Sequence, residues 1–426
     1  MRRPSHIAAR GPFRRDAWRS PLRGPWLTSV LGAALLAGLP IVALTGLLSY
    51  AAYEPALGRN NLIGDPGPLD FYVFSWPTSP SWLYALTQGL HVTVGIALVP
   101  IVLVKLWSAM PRLFDWPPLR SPAHALERAS LALLVGSTLF QFATGILNAQ
   151  LYYPWRFSFL AAHFYGGWVF IAAFVLHAAI KLPTMRRSLR ERRLLDELRR
   201  GLDATTPETG DSPLIAPAPS APTISRRGVL GLTGGASLGL LALTAGQSVG
   251  GPLREIALLA PHGRDLGDGP NDFQINKTAR SVGIRPAQTG DAWRLAVAGG
   301  ARPLELSREG LLALAQHAYE LPIACVEGWS TTQTWSGVRL RDLAALAGVA
   351  AFDELLVESL QTAGSFRRAT LSPGQAGDRR SLLALRVNGA DLSADHGFPA
   401  RIIVPALPGV HCTKWVRRLE FKVTRA

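Results

Sequence analysis

Four stretches of the chain stay apolar for longer than the roughly 18 residues that a bilayer-spanning helix needs. They are residues 26–50, 81–104, 129–151 and 157–180, and none contains Asp, Glu, Lys or Arg. A fifth uncharged stretch, 228–250, is rich in glycine and weaker, closer to an export signal in its hydrophobicity. Beyond residue 254 the pattern changes to short apolar runs separated by turn residues. Residues 292–297, 355–359, 383–387, 400–404 and 419–423 read as strands, and 307–318 and 340–346 as helices. The pattern predicts an all-α transmembrane four-helix region over 25–182, a fifth transmembrane or signal-like helix over 228–250, and an α+β domain over 254–426. No internal repeat is evident.

Charge gives this order a direction. Seven arginines, Arg2 to Arg23, precede the first span, and only Arg59 separates the first from the second. Lys105, Arg112, Arg120 and Arg128 lie between the second and third, and Arg156 alone between the third and fourth. Ten basic residues, Lys181 to Arg227, separate the fourth and fifth. Positive residues collect on the cytoplasmic side, so the N-terminal 1–24 and the segment 183–227 are expected inside. The α+β domain is then extracytoplasmic, held on the inner membrane by a multi-pass anchor.

Composition narrows the function classes. The 426 residues suggest two or three domains at about 150 residues each. With 48% hydrophobic and 17% charged residues, a disordered chain is excluded. The net charge of +15 lies mostly in residues 1–227, the part that holds the apolar spans. No basic domain with interleaved aromatics stands apart, so nucleic acid is not an expected partner. Cys325 and Cys412 are the only cysteines. Two thiols build neither a disulfide framework nor a four-thiolate site, although one disulfide stays possible.

The intervening segment has two parts. Residues 182–200 read as a short basic helix, either lying on anionic headgroups or simply solvated. Residues 203–224, rich in Pro, Thr, Ala and Ser, read as a flexible linker. Ser225-Arg226-Arg227-Gly228-Val229-Leu230 resembles the twin-arginine export motif, a route for domains folded around a cofactor. The alternative is two more cytoplasmic positive charges.

Three histidines lie within spans, where ionisable groups are costly and mark function: His91 in the second, His163 and His177 in the fourth. His163 and His177 are 14 residues apart, about 21 Å of helix and about 40° short of whole turns. Both therefore face one side near opposite membrane surfaces, as two stacked haems require. Neutral imidazole is a common haem ligand. On these residues and the span count, the region resembles the cytochrome b family of four-helix haem proteins. The first span lacks the histidine such proteins often carry, and His124 and His6 lie outside the apolar core. The resemblance implies one b-type haem between His91 and His163. His177 is either a ligand of a second haem, with its partner unidentified, or a relic.

The α+β region carries four ordered motifs. Ile323-Ala324-Cys325-Val326-Glu327-Gly328-Trp329-Ser330 is followed by Trp335-Ser336-Gly337-Val338-Arg339-Leu340. Then come His396-Gly397-Phe398-Pro399-Ala400-Arg401 and Cys412-Thr413-Lys414-Trp415. Over about residues 265–423 the chain resembles the sulfite-oxidase-type molybdopterin fold, in wording close to the bacterial sulfoxide-reductase branch. The resemblance implies Cys325 as the molybdenum ligand, a soft thiolate suited to that metal. It implies cofactor contacts at Asn271, Gln274, Ile275, Ser359, His396, Arg401, Cys412, Thr413 and Lys414. Arg401 and Lys414 are the expected phosphate partners. Glu327 either points to the metal's open face as a catalytic group or is a structural acceptor. A Cys325–Cys412 disulfide would consume the metal ligand. Arg367 and Arg368 are candidates for an anionic substrate, but no arginine-rich stretch follows Cys325, which argues against sulfite.

The expected function is a molybdopterin-dependent oxidoreductase. It performs oxygen-atom and two-electron transfer on a small extracytoplasmic substrate, with sulfoxide-like reduction favoured. The haem exchanges electrons with the quinone pool or another respiratory partner. Two alternatives remain: a molybdoenzyme on a haem-free anchor with a separate electron partner, and a non-enzymatic binding protein on a degenerate molybdopterin fold.

Overall fold

The structure, a computed structural model, describes residues 11–53, 67–69, 74–115 and 121–423. Arg2, Arg3, His6, Arg10, Arg59 and Arg120 lie outside the described residues. The chain forms two compact units. One comprises Met1–Ala43, Val94–Asn148 and Tyr153–Leu241, and the other Leu44–Thr93, Ala149–Tyr152 and Ala242–Ala426.

The apolar runs become long helices: α1 (Pro25–Tyr53), α2 (Leu83–Leu113), α3 (Pro122–Ala149), α4 (Phe159–Glu191), the short α5 (Leu194–Arg199) and α6 (Arg226–Val249). All but α5 are long and apolar enough to cross a membrane, and α6 is as apolar as α3. The chain is thus compatible with membrane anchoring. In the first unit Leu35 and Leu39 of α1 pack with Leu98 and Val102 of α2 and Phe170 of α4. The fourth apolar run does not stop at residue 180. Arg and Lys favour helix, and α4 continues to Glu191 with Pro183 inside it, so the basic helix expected over 182–200 is the end of α4 followed by α5.

The stretch 203–224 has neither helix nor strand, as a linker should. It is nevertheless tied down. The Glu208 carboxylate accepts from the Trp26 backbone N–H at 3.1 Å, where the positive end of α1 favours an anion. Ser220 N donates to Arg19 O at 2.8 Å. Arg226, the first of the twin arginines, is buried; its Nη2 donates to Pro21 O, and Nη1 lies 3.5 Å from Glu197.

The second unit adds α7 (Pro286–Thr289), β1 (Leu295–Ala298), β2 (Leu304–Leu306), α8 (Arg308–Leu312), β3 (His317–Ala324), β4 (Ser330–Arg339), α9 (Leu340–Leu346), β5 (Glu354–Ser359), β6 (Arg368–Leu371), α10 (Pro373–Gly377), β7 (Leu382–Val387), β8 (Ala390–Asp391), β9 (Arg401–Ile403) and β10 (Val416–Lys422). One sheet runs β2-β1-β10-β5-β6, with β1 and β10 parallel. The other runs β3-β4-β7-β8, with β9 also paired to β7. Alternate residues of the first sheet, among them Val297, Val357, Leu419 and Phe421, face one core. Ala51, Ala52, Trp76 and Tyr84 join that core, so the end of α1 and the start of α2 are built into the same hydrophobic interior. A second core gathers Phe273, Leu321, Trp335, Leu382 and Ile403 with Cys325 and Cys412.

The helix expected over 307–318 is much shorter. The Ser307 hydroxyl caps α8 by accepting from Gly310 N. At the other end Gln316 Nε2 donates to the carbonyls of Leu311 and Leu314, and the chain then turns into β3. Proline usually argues against a strand, but β3 is an edge strand and tolerates Pro322.

Candidate active site

Cys325 stands at the tip of the β3–β4 hairpin. The turn closes through Cys325 N to Trp329 O and Gly328 N to Cys325 O, both 3.0 Å. Gly328 has φ +92°, a left-handed conformation that favours glycine. The Cys325 thiol is buried, and both cysteines are free. Burial and then the neighbouring Glu327 carboxylate push the Cys325 thiol well up. A cation bound to sulfur is what would reverse that preference.

A narrow pocket is lined by Cys325 with Gln274, Ile275, His396, Arg401 and Lys414. These are five of the expected cofactor contacts and the expected ligand, brought together from segments far apart in sequence. Arg401 begins β9, and its guanidinium donates to His396 O and Cys412 O and lies 4.9 Å over the Trp335 ring. Its Nε has no hydrogen-bond partner, nor does the Thr413 hydroxyl. Lys414 Nζ donates to Lys277 O at 2.5 Å and to Asp395 O at 2.9 Å. Burial lowers Arg401 to about 10 and, with Arg401 nearby, pushes Lys414 well below the ordinary lysine value. His396 falls to about 3, first through burial and then through Arg401. Buried cations without a facing carboxylate, together with orphaned donors, call for an anion.

The remaining expected residues have other roles in this geometry. Asn271 holds the 391–396 loop: its Nδ2 donates to Asp391 O, its Oδ1 accepts from Ser393 N, and its carbonyl lies 2.8 Å from His396 Nε2. Ser359 Oγ donates to Lys414 O at 2.8 Å. Glu327 does not line the pocket; its Oε2 accepts from Trp329 Nε1 at 2.6 Å and lies 2.7 Å from His262 Nε2. Arg368 pairs with Glu358 at 2.7 Å, Arg367 donates to Gly364 O, and neither lines the pocket.

Sequence reasoning passed over the partners of the Cys325 turn. Gln88 Nε2 of α2 donates to Val326 O at 2.6 Å. Gly328 lies against Val92, where an added Cβ would come within 2.7 Å of the Val92 Cβ. From the end of α6, Ser248 Oγ donates to Gly328 O, and Ser330 Oγ donates back to Ser248 O at 2.6 Å. The turn that carries the thiol is therefore seated on α2 and α6, and Gln88 and Val92 flank His91.

His91 Nδ1 lies 3.4 Å from Thr45 Oγ1, and its ring rests on Gly46. Within the other unit His163 Nδ1 lies 2.9 Å from Thr144 Oγ1, and its ring rests on Gly145. A similar short run, Thr45-Gly46-Leu47-Leu48 and Thr144-Gly145-Ile146-Leu147, underlies both. Each niche is thus built on a Thr-Gly pair, a local signal too short to count as a repeat. Thr144 Oγ1 donates to Phe140 O at 2.7 Å, so it can accept from His163 Nδ1 in the tautomer that carries the proton there. Among the described residues no cluster of three His, Cys, Asp or Glu forms a metal site.

Residues 282–426 match the oxidoreductase molybdopterin binding domain family. The uncharacterized oxidoreductase YuiH of Bacillus subtilis is 35% identical over 131 residues, covering 30% of this chain and 65% of that one. Sulfite oxidase from Rattus norvegicus mitochondria is 31% identical over 158 residues, 30% of this chain and 29% of that one. Nitrate reductase [NAD(P)H] of Hordeum vulgare is 32% identical over 171 residues, 33% of this chain and 19% of that one. The chain spans less than two thirds of the length of each. The C-terminal part of this chain is thus similar to molybdopterin-binding domains of sulfite-oxidase-type oxidoreductases. The family match begins well after the last of the long apolar helices.

The residues present fit the molybdenum cofactor. Cys325 offers a buried thiol, and Arg401, Lys414 and the Thr413 hydroxyl offer buried donors to an anionic pterin phosphate.

Proposed function

We propose that the chain is a membrane-bound molybdoenzyme that exchanges an oxygen atom and two electrons with a small extracytoplasmic substrate and passes the electrons through a b-type haem to or from the quinone pool. One observation carries this reading: the Cys325 turn is hydrogen-bonded and packed on α2 at Gln88 and Val92, the residues around His91. The thiolate ligand and one expected haem ligand then stand on touching elements of a single unit, which favours electron transfer within the chain over a separate soluble partner. The pairing of His91 with His163 on one haem rests on their depth in the sequence.

Bound there, molybdopterin supplies the two-electron, oxygen-transferring chemistry. This chain's residues hold it through Cys325, Arg401, Thr413 and Lys414, and Glu327 fixes the turn through Trp329 and His262. The favoured direction is reduction of a sulfoxide, R2SO + 2H+ + 2e− → R2S + H2O. Among the described pocket-lining residues Arg401 is the one arginine, and Arg367 and Arg368 face other partners. A neutral oxide suits such a site better than the sulfite dianion. The alternation of basic segments supports an inner-membrane topology with the catalytic domain outside, and Arg226-Arg227 supports export by the twin-arginine route.

The test is a reduced-minus-oxidised spectrum of the purified full-length protein with molybdenum and iron quantified. One molybdenum and one b-type haem per chain, with haem reoxidised on adding dimethyl sulfoxide, is the expected result. Molybdenum without haem would reduce the helical region to an anchor. Neither metal would leave a binding protein on a degenerate fold.

A further inference from the structure

We propose that a cavity of about 240 Å³ lined by α1, α2, α3 and α4 within the first unit binds a lipophilic quinone, with Lys105 and His177 donating to its two carbonyl oxygens. The inference rests on the electron-transfer reading above, and it gives the quinone a site.

The walls are apolar, with Leu35 of α1, Leu134 of α3 and Phe174 of α4 among them. Lys105, just past the second apolar stretch, and His177, within the fourth, interrupt this lining with polar groups. Ionisable groups at or within a span mark ligand or proton paths. The Lys105 ammonium lies against Gly32, where an added Cβ would come within 3.1 Å of Nζ, and it donates to Thr28 O at 2.5 Å. An ammonium carries two further protons, and a neutral imidazole carries one N–H. Arg112 and Lys181 also border the cavity, but both pair with Glu127. That one carboxylate holds both side chains, so Lys105 and His177 are the lining donors that Glu127 does not engage.

That donor set selects among ligands. Three cations facing one Glu127 carboxylate leave this end of the cavity net positive, which favours electron-rich acceptor oxygens, while a small hydrated anion would leave the apolar walls unmatched. A neutral ring with two acceptors matches both donors and the walls. A cavity of about 150 Å³ holds benzene, so this one takes a substituted ring, with an isoprenoid tail leaving between helices into lipid.

Sequence register argues the same way. Lys105 follows His91 by 14 residues on α2, as His177 follows His163 on α4. At the level where a second haem would need a second imidazole, α2 supplies an ammonium hydrogen-bonded to α1. Lys105 thus takes the register position on α2 that His177 takes on α4, and both line the cavity.

The test titrates the full-length protein in nanodiscs with decylubiquinone and reads binding by calorimetry. Two variants are compared with the unaltered chain: Lys105→Met, which removes a donor, and Val135→Phe, which fills the cavity from α3. Each is first checked for monodisperse elution. One site per chain, weakened at least tenfold in both variants with molybdenum and haem content unchanged, is the expected result. Binding indifferent to both variants overturns the proposal. So does a haem band that shifts or vanishes in Lys105→Met, because the cavity then holds haem. A chain that has haem yet binds no quinone overturns the pocket and spares the electron-transfer reading. A chain without haem overturns that reading, and the titration still decides the pocket.

Discussion

The side-chain amide of Gln88 donates to the backbone carbonyl of Val326 across 2.6 Å, joining α2 to the turn that bears Cys325. Gln88 is buried, so Gln88→Leu leaves the carbonyl unanswered. The expected cost is about 1–3 kcal/mol. It is to be read as a lower unfolding temperature, with slower reoxidation of the proposed haem on adding dimethyl sulfoxide.

Gly328 is under two constraints at once: φ is +92°, and its Cα faces Val92. Gly328→Ala is expected to destabilise by roughly 1–3 kcal/mol through strain and overpacking. Val92→Ala in the same chain should recover part of the loss. A double-mutant cycle on denaturation midpoints measures the coupling, and strict additivity would show that the contact is unimportant.

The two cysteines should behave differently. Cys325→Ser is expected to abolish turnover and the molybdenum–thiolate signature in X-ray absorption. Cys412→Ser is expected to retain both. Cys412 is buried beside Arg401, where it contributes its backbone carbonyl. Equal losses in the two variants would contradict the assignment of Cys325 as ligand.

These cases also show what a sequence reader can reach. The α9 helix, Leu340–Leu346, occupies the expected residues because its apolar positions repeat locally. The Cys325 motif is local too, and five of the cofactor contacts expected with it line one pocket beside Cys325. Gln88 and His262 are different. Their partners in the Cys325 turn stand 238 and 65 residues away, and neither carries a local signature. The β3 strand was hidden by Pro322, which only its edge position makes acceptable. The Thr-Gly pairs were visible as letters, but their meaning depends on which histidine packs on them.

Thr144→Val tests that meaning for His163. In the Nδ1-protonated tautomer a haem ligand requires, the hydroxyl would accept from Nδ1–H, raise the basicity of Nε2 and fix the ring. Losing it should shift the haem midpoint potential or broaden its reduced band while haem content is largely kept. Redox titration of the purified variant measures this. An unchanged potential and band would place the haem elsewhere.

His411 makes a pH prediction. Burial pushes its imidazole down to about 4, and its Nε2 meets Tyr53 O at 2.5 Å. Between about 6.5 and 4 the unfolded chain therefore binds a proton that the folded chain refuses. Stability should fall as pH falls through that window, by about 1.4 kcal/mol per pH unit from this residue. In His411→Phe the slope should be shallower by that amount, which denaturation at a series of pH values will show.

The catalytic half of this chain is not hung from a single stalk. The end of α1, the start of α2 and the end of α6 all belong to its compact unit, with Trp76 Nε1 bonded to Ala406 O and Ser248 bonded to the Cys325 turn. A domain fastened at several points does not swing out to fetch or deliver charge. In the electron-transfer reading proposed above, its gap to His91 is set once, when the chain folds. Throughput should therefore be indifferent to solvent viscosity, in contrast to enzymes whose redox modules must wander between stations.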